Sequence, residues 1–107
     1  MIAFKPYGPS IPQAVDVTPT SLTLSWKVPD KSGGSPVDRY ELQYQQLDAK
    51  ASSDSNWVSV DTDIQETMFV IFDLRFKQYV FRVRGHNEFG WGEFSENSEP
   101  VRITRRF

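Results

Sequence analysis

Residues 21–27 alternate apolar and polar without a break. Ser21-Leu22-Thr23-Leu24-Ser25-Trp26-Lys27 sets Leu22, Leu24 and Trp26 on one side and small or polar residues on the other. Successive side chains of an extended chain point to opposite faces, so this spacing predicts a strand with one face buried. Tyr40-Glu41-Leu42-Gln43-Tyr44-Gln45 repeats the pattern with Tyr40, Leu42 and Tyr44 inward. Tyr79-Val80-Phe81-Arg82-Val83-Arg84-Gly85 does so again with Tyr79, Phe81 and Val83. No stretch combines apolar residues at helical spacing with a helix cap. The pattern predicts an all-β chain.

Turn chemistry separates these runs. Val28 to Pro36 holds two prolines and two glycines, Asn87 to Gly92 holds two glycines, and residues 47–56 are mostly small and polar. Weaker strands fit at 13–17, 57–61, 67–71 and 100–104. About seven short antiparallel strands with regular turn signals fit two packed sheets around one core, an immunoglobulin-like sandwich. Leu22, Leu24, Trp26, Tyr40, Leu42, Leu74, Tyr79, Phe81 and Val83 are the expected core. Pro6, Pro9 and Pro12 stiffen the approach. Residues 1–8 therefore read as a linker or N-terminal extension, 9–104 as the domain and 105–107 as a tail.

The 107 residues amount to one domain, and a chain of that size can bury a core without staples. Cysteine is absent, which excludes disulfides, thiolate metal sites and a cysteine nucleophile. No apolar run is long enough to cross a membrane as a helix. Met1 to Pro6 lacks the basic start and apolar stretch of a signal peptide. Fourteen acids against twelve bases leave a net charge of -2. Residues 1–74 carry five bases and ten acids, and residues 75–107 carry seven and four. A nucleic-acid binder shows a basic excess, so no nucleic-acid partner and no direct membrane insertion are expected.

With the strands in order, the chain resembles the fibronectin type III domain from about Pro9 to Thr104. Pro12 and Val17 sit where the family's first strand carries proline and valine. Ser21 to Trp26 is similar to its second strand with the core tryptophan. Gly33-Gly34-Ser35-Pro36-Val37 followed by Tyr40 to Tyr44 is similar to its loop and third strand, and Trp57 to the tryptophan opening the next. Leu74 and Tyr79 resemble the corner before the sixth strand. Asn87-Glu88-Phe89-Gly90-Trp91-Gly92-Glu93-Phe94-Ser95 matches the Asn-x-x-Gly-x-Gly-x-x-Ser turn after it. Three departures stand out. Leu74 and Tyr79 are closer than usual, which implies a tightened tyrosine corner. The loop at 47–56 is long. Gly85 replaces an alanine, which implies a small gap or a closer strand approach.

Catalytic chemistry finds no support. The lone histidine, His86, ends a strand and reads as a solvated surface residue. No serine sits in a nucleophile turn and no glycine-rich phosphate loop occurs. Asp61, Asp63 and Glu66 lack the calcium-loop pattern. The expectation is a non-enzyme with no cofactor and no metal. Arg84-Gly85-His86 lacks the acid of an integrin-binding Arg-Gly-Asp. Asn56, Asn87 and Asn97 lie in no glycosylation sequon, which favours an intracellular setting.

Two surfaces remain. Arg82, Arg84 and His86 point outward beside Glu41, Gln43 and Gln45, either as an ion-pair ladder on a wet sheet face or with Trp91 and Phe94 stacked on the guanidinium groups. Trp91-Gly92-Glu93-Phe94-Ser95 echoes the Trp-Ser-x-Trp-Ser box of cytokine receptors without that group's cysteines, and reads as local packing. The second surface is apolar. If Phe69, Ile71 and Leu74 face the core, Met68, Val70 and Phe72 face outward, with Phe76 as a possible addition. Either the N-terminal Ile2, Phe4 and Tyr7 or a neighbouring domain covers them, or they form a partner or self-association surface.

The function expected is a non-catalytic protein-interaction or spacer module, monomeric in isolation, with neighbouring domains on the same chain. The Gly-Gly-Ser-Pro loop and Phe-Arg-Val-Arg strand resemble repeats of giant muscle proteins, which implies a cytoplasmic or cytoskeletal parent. The alternatives are a cell-surface receptor or adhesion repeat and a purely mechanical spacer. The partner face is placed at Arg82, Arg84, Glu88, Phe89, Trp91, Glu93 and Phe94, because aromatic and arginine side chains anchor interfaces. Met68, Val70 and Phe72 are the second candidate.

Overall fold

The computed structural model describes residues 4–47, 57–75 and 77–103. Expectations for Ile2, Phe76, the loop at 48–56 and residues 104–107 fall outside the described residues. Eight strands appear in chain order: β1 Gln13–Val17, β2 Ser21–Ser25, β3 Arg39–Leu47, β4 Val58–Ile64, β5 Met68–Phe72, β6 Gln78–Asn87, β7 Gly90–Phe94 and β8 Val101–Arg102. They form two antiparallel sheets. One runs β1-β2-β5; the other runs β4-β3-β6-β7, with β8 also on β6.

The alternation written in the sequence sets which side chains meet. Leu22 and Leu24 of β2 lie opposite Ile71 and Phe69 of β5. Leu42 of β3 lies opposite Val83 of β6, and Tyr44 opposite Phe81. The inner faces close on Leu22, Leu24, Trp26, Tyr40, Leu42, Tyr79, Phe81 and Val83, all buried, with Ile64, Ile71 and Ile103 beside them. Leu74 is only half-buried, packed against the edge of this cluster. Trp26 stacks edge-on against Tyr40, and its buried indole Nε1 has no hydrogen-bond partner among the described residues.

Strand limits shift for identifiable reasons. β4 runs on to Ile64 because two register shifts keep it on β3 as far as Tyr40. An additional strand, β7, begins inside the expected turn at 87–92, and the strand expected at 100–104 shortens to β8; the two pair with opposite ends of β6. Between them Ser95 and Ser98 hold the edge by side chain as well as backbone. Their hydroxyls accept the Val83 and Phe81 amides at 3.1 and 2.9 Å, and their own amides donate to the same two residues' carbonyls.

The corner before β6 is closed by Tyr79, whose hydroxyl donates to the Arg75 carbonyl at 3.0 Å. Asp73 turns the chain there with φ 63°. Gly85 is a close approach rather than a gap: a methyl there would meet Val37 Cγ1 at 3.2 Å.

Residues 4–9 lie against the sandwich. Phe4 donates its amide to the Gly33 carbonyl, Tyr7 to Lys31, and the Pro6 carbonyl accepts the Glu93 amide. This strap comes so close that a Cβ on Gly92 would run into the Pro6 carbonyl oxygen.

Candidate functional site

The antiparallel register places Arg84 across from Glu41, Arg82 across from Gln43 and His86 across from Arg39. On the far side of β6, Trp91 lies opposite His86 and Phe94 opposite Arg84. Polar residues of two strands, β3 and β6, and aromatics of a third, β7, are thereby pressed onto one sheet face.

The result is a stack. The Arg82 guanidinium lies 4.1 Å from the Trp57 ring centre and 3.9 Å from that of Phe94. Arg84 sits 4.7 Å from the Phe94 ring centre and 4.8 Å from that of Trp91, and Arg39 lies 5.4 Å from the Trp91 ring centre. Cation and ring alternate as Trp57, Arg82, Phe94, Arg84, Trp91, Arg39. A cation over an aromatic face is attracted by the ring quadrupole, by about 0.5–1 kcal/mol at exposed sites and more when water is excluded. Trp57 joins without having been singled out as a surface residue; its sequence signal was only that of a strand opener.

Hydrogen bonds fix the cations edgewise. Arg82 donates through Nε and Nη2 to Gln43 Oε1 at 2.9 and 2.7 Å. Arg84 Nε donates to Glu41 Oε1 at 2.7 Å, and its Nη2 reaches the same oxygen at 2.7 Å. Glu41 is only 5% exposed, so the expected wet ion-pair face is largely covered. Burial pushes the Glu41 carboxyl up, yet hydrogen bonds from Ser59, Gln43 and Arg84 and the charge of Arg84 outweigh it and leave it below the ordinary glutamate value. Burial, then the neighbouring Arg84 charge, lowers the Arg82 guanidinium, against the pull of Glu41. His86 is not the solvated residue expected: it packs edge-on against Trp91 with centroids 5.0 Å apart, and Nδ1 lies 2.9 Å from Asp38 Oδ1.

Beyond the stack, the chain turns at Glu88 and Phe89. The Ser35 hydroxyl donates to Glu88 Oε1 at 2.5 Å. Asn87 is fully buried and ties three segments together. Its Nδ2 donates to the Phe4 and Ser32 carbonyls at 2.8 Å each, and its Oδ1 accepts the Phe89 amide at 2.8 Å. The sequence had shown Asn87 only as a turn residue. Between strap and turn lies a shallow cleft of about 610 Å³, lined among others by Phe4, Pro6, Tyr7, Phe89, Trp91 and Glu93. Phe4, Tyr7 and Phe89 are 37%, 46% and 44% exposed.

The expected partner face is thus brought together in two parts. Arg82, Arg84, Trp91 and Phe94 form the stack, and Phe89 and Glu93 border the cleft. Glu88 is held by Ser35. Met68, Val70 and Phe72 lie far from this arrangement on β5 and are 50%, 40% and 66% exposed. The strap bonds to Gly33, Lys31, Asn87 and Glu93, so Phe4 and Tyr7 do not cover that patch.

The comparisons agree with the architecture. The family described as "Fibronectin type III domain" matches residues 8–101. The smooth-muscle myosin light chain kinase of Gallus gallus is 37% identical over 101 residues, 92% of this chain and 5% of that protein. Roundabout homolog 2 of Homo sapiens is 37% identical over 99 residues, 91% of this chain and 7% of that protein. The solved twitchin kinase region of C. elegans superimposes with a TM-score of 0.82 at 30% identity, covering 95% of this chain and 17% of the other. The chain spans less than a tenth of the length of these two curated relatives. The chain belongs to the fibronectin type III family.

Proposed function

We propose that this domain is a protein-interaction module of a longer, intracellular multidomain protein, and that its partner docks on the cleft between the N-terminal strap and β7. The observation that carries this reading is the set of rings left open there. Phe4, Tyr7 and Phe89 are each more than a third exposed around one concavity, beside Trp91. Apolar groups clustered in a concave surface are a usual feature of binding sites.

The stack supports the reading by rigidity. Trp91 is held by contacts to Arg84, Arg39 and His86, so its ring offers a preset surface that loses little side-chain freedom on binding. Arg82 and Arg84 hold the aromatics in this scheme and are not themselves the recognised charges. Relatives as different as a smooth-muscle kinase and Roundabout homolog 2 carry the same fold, so the fold alone does not choose the setting. The absence of sequons and the muscle-repeat resemblance of the loop and sixth strand favour the cytoskeletal one.

Quantitative capture from muscle lysate tests this, comparing wild type with Trp91→Ser and with Met68→Ser/Phe72→Ser, each checked for equal folding. Loss with Trp91→Ser alone supports the cleft. Loss with the double variant alone moves the site to β5, and no specific partner in any sample leaves a spacer.

A further inference from the structure

The outer strand of the smaller sheet presents both a free backbone edge and an apolar face. Within that sheet β5 pairs with β2 on one side and with no described strand on the other. Trp26 donates its amide to the Thr67 carbonyl and Asp73 donates to Thr20. In an antiparallel pair such bonds recur at every second residue. Residues 67, 69, 71 and 73 therefore turn their backbone groups toward β2, and Met68, Val70 and Phe72 turn theirs to the open edge. These same three carry the exposed apolar side chains. The strand holds no proline and no charge, the usual devices that keep an open edge from pairing.

We infer that β5 is a pairing edge whose occupant is the β5 of a second copy of this chain, joined antiparallel about a two-fold axis at Val70. The choice of occupant rests on register. An axis at Val70 sets Met68 against the partner's Phe72, Val70 against the partner's Val70 and Phe72 against the partner's Met68. All the outward backbone groups are then matched, and apolar meets apolar in every row. Moving the axis to Phe69 puts Glu66 opposite Phe72, and moving it to Ile71 leaves Met68 facing Leu74 beyond the corner. At the ends of the preferred register Thr67 meets Asp73, so no like charges face each other. An edge without charges has nothing with which to select an acidic or basic peptide, and a net charge of -2 opposes self-association little. The two small sheets become one six-stranded sheet with β1 at both ends. This surface is separate from the cleft, so the two can be occupied together.

Sedimentation equilibrium of the whole chain tests the pairing. A two-fold contact through one short strand is small, so the dimer is expected to show only at high concentration, about 0.1–1 mM. Val70→Lys places two ammonium groups face to face at the axis and is expected to weaken the dimer at least about tenfold. Val15→Lys, on the exposed opposite edge strand, is the control and should associate as wild type does. If Val70→Lys proves misfolded by near-ultraviolet circular dichroism, Phe72→Lys replaces it. Hydrogen exchange gives the second reading: the Met68, Val70 and Phe72 amides should become more protected as concentration rises, with Phe69 and Ile71 unchanged. A chain that stays monomeric through 1 mM, a dimer insensitive to the β5 lysine, or protection arising on another strand would each overturn the inference.

Discussion

Arg84 grips Glu41 across the β3–β6 pair with two nitrogens on one carboxylate oxygen, each at 2.7 Å. Glu41 is almost wholly covered, while Arg84 keeps part of its surface in solvent between Phe94 and Trp91. A hydrogen bond to a charged group contributes about 1.5–3 kcal/mol. Glu41→Gln is expected to destabilise the domain by that amount. Denaturant unfolding of Glu41→Gln, Arg84→Gln and the pair should show the double variant losing less than the sum of the singles.

The same contact gives acid sensitivity with a defined sign. The Glu41 carboxyl titrates lower in the folded chain than in the unfolded one, so the unfolded state binds its proton first. The stabilisation is complete above the unfolded glutamate value and is lost as pH falls through the lowered folded value. Melting temperatures of wild type should drop on acidification below about pH 4.3, and Glu41→Gln should lose this part of the slope. An identical slope in both proteins would remove Glu41 from the account.

Asn87 should prove the pin of the N-terminal strap. Asn87→Ala strands the Phe4 and Ser32 carbonyls and is expected to cost about 1–3 kcal/mol. Hydrogen exchange should then speed up at the Phe4 and Tyr7 amides before it does so in β2 or β6. Gly92→Ala should release the same amides by pressing on Pro6.

Core and corner should separate by size. Trp26→Ala removes the largest inner ring of β2's extension and should cost about 3–5 kcal/mol. Tyr79→Phe removes only the hydroxyl bond to Arg75 and should cost about 0.5–1.5 kcal/mol. Chemical denaturation ranks the two.

The sandwich was legible because alternation at 21–27, 40–45 and 79–85 assigns faces without knowledge of the partner strand. Tyr79, Phe81 and Val83 could point only to one side once Arg82 and Arg84 pointed to the other. β7 was not legible, since its two glycines read as a turn, and Ser95 and Ser98 look like solvent-facing residues until their hydroxyls replace ladder bonds. Half of the stack could be read, because Arg82 and Arg84 share a face with Glu41 and Gln43. Trp57 could not, because its place depends on where β4 runs beside β3 across two register shifts. The strap escaped for a similar reason: three prolines suggest a linker, and its anchors Gly33, Asn87 and Gly92 lie far along the chain.

The central claim is that one face does two jobs, with the arginines holding the aromatics and the rings at the cleft meeting the partner. Arg82→Ala and Phe89→Ser, each measured for unfolding free energy and for affinity toward the captured partner, separate them. Phe89→Ser is expected to keep its stability within about 0.5 kcal/mol and to bind at least tenfold more weakly. Arg82→Ala is expected to lose about 1–2 kcal/mol of stability, from two ring contacts and two hydrogen bonds, and to bind almost as wild type when folded. Undiminished binding by Phe89→Ser, with binding lost in folded Arg82→Ala, would contradict the account and return recognition to the arginine.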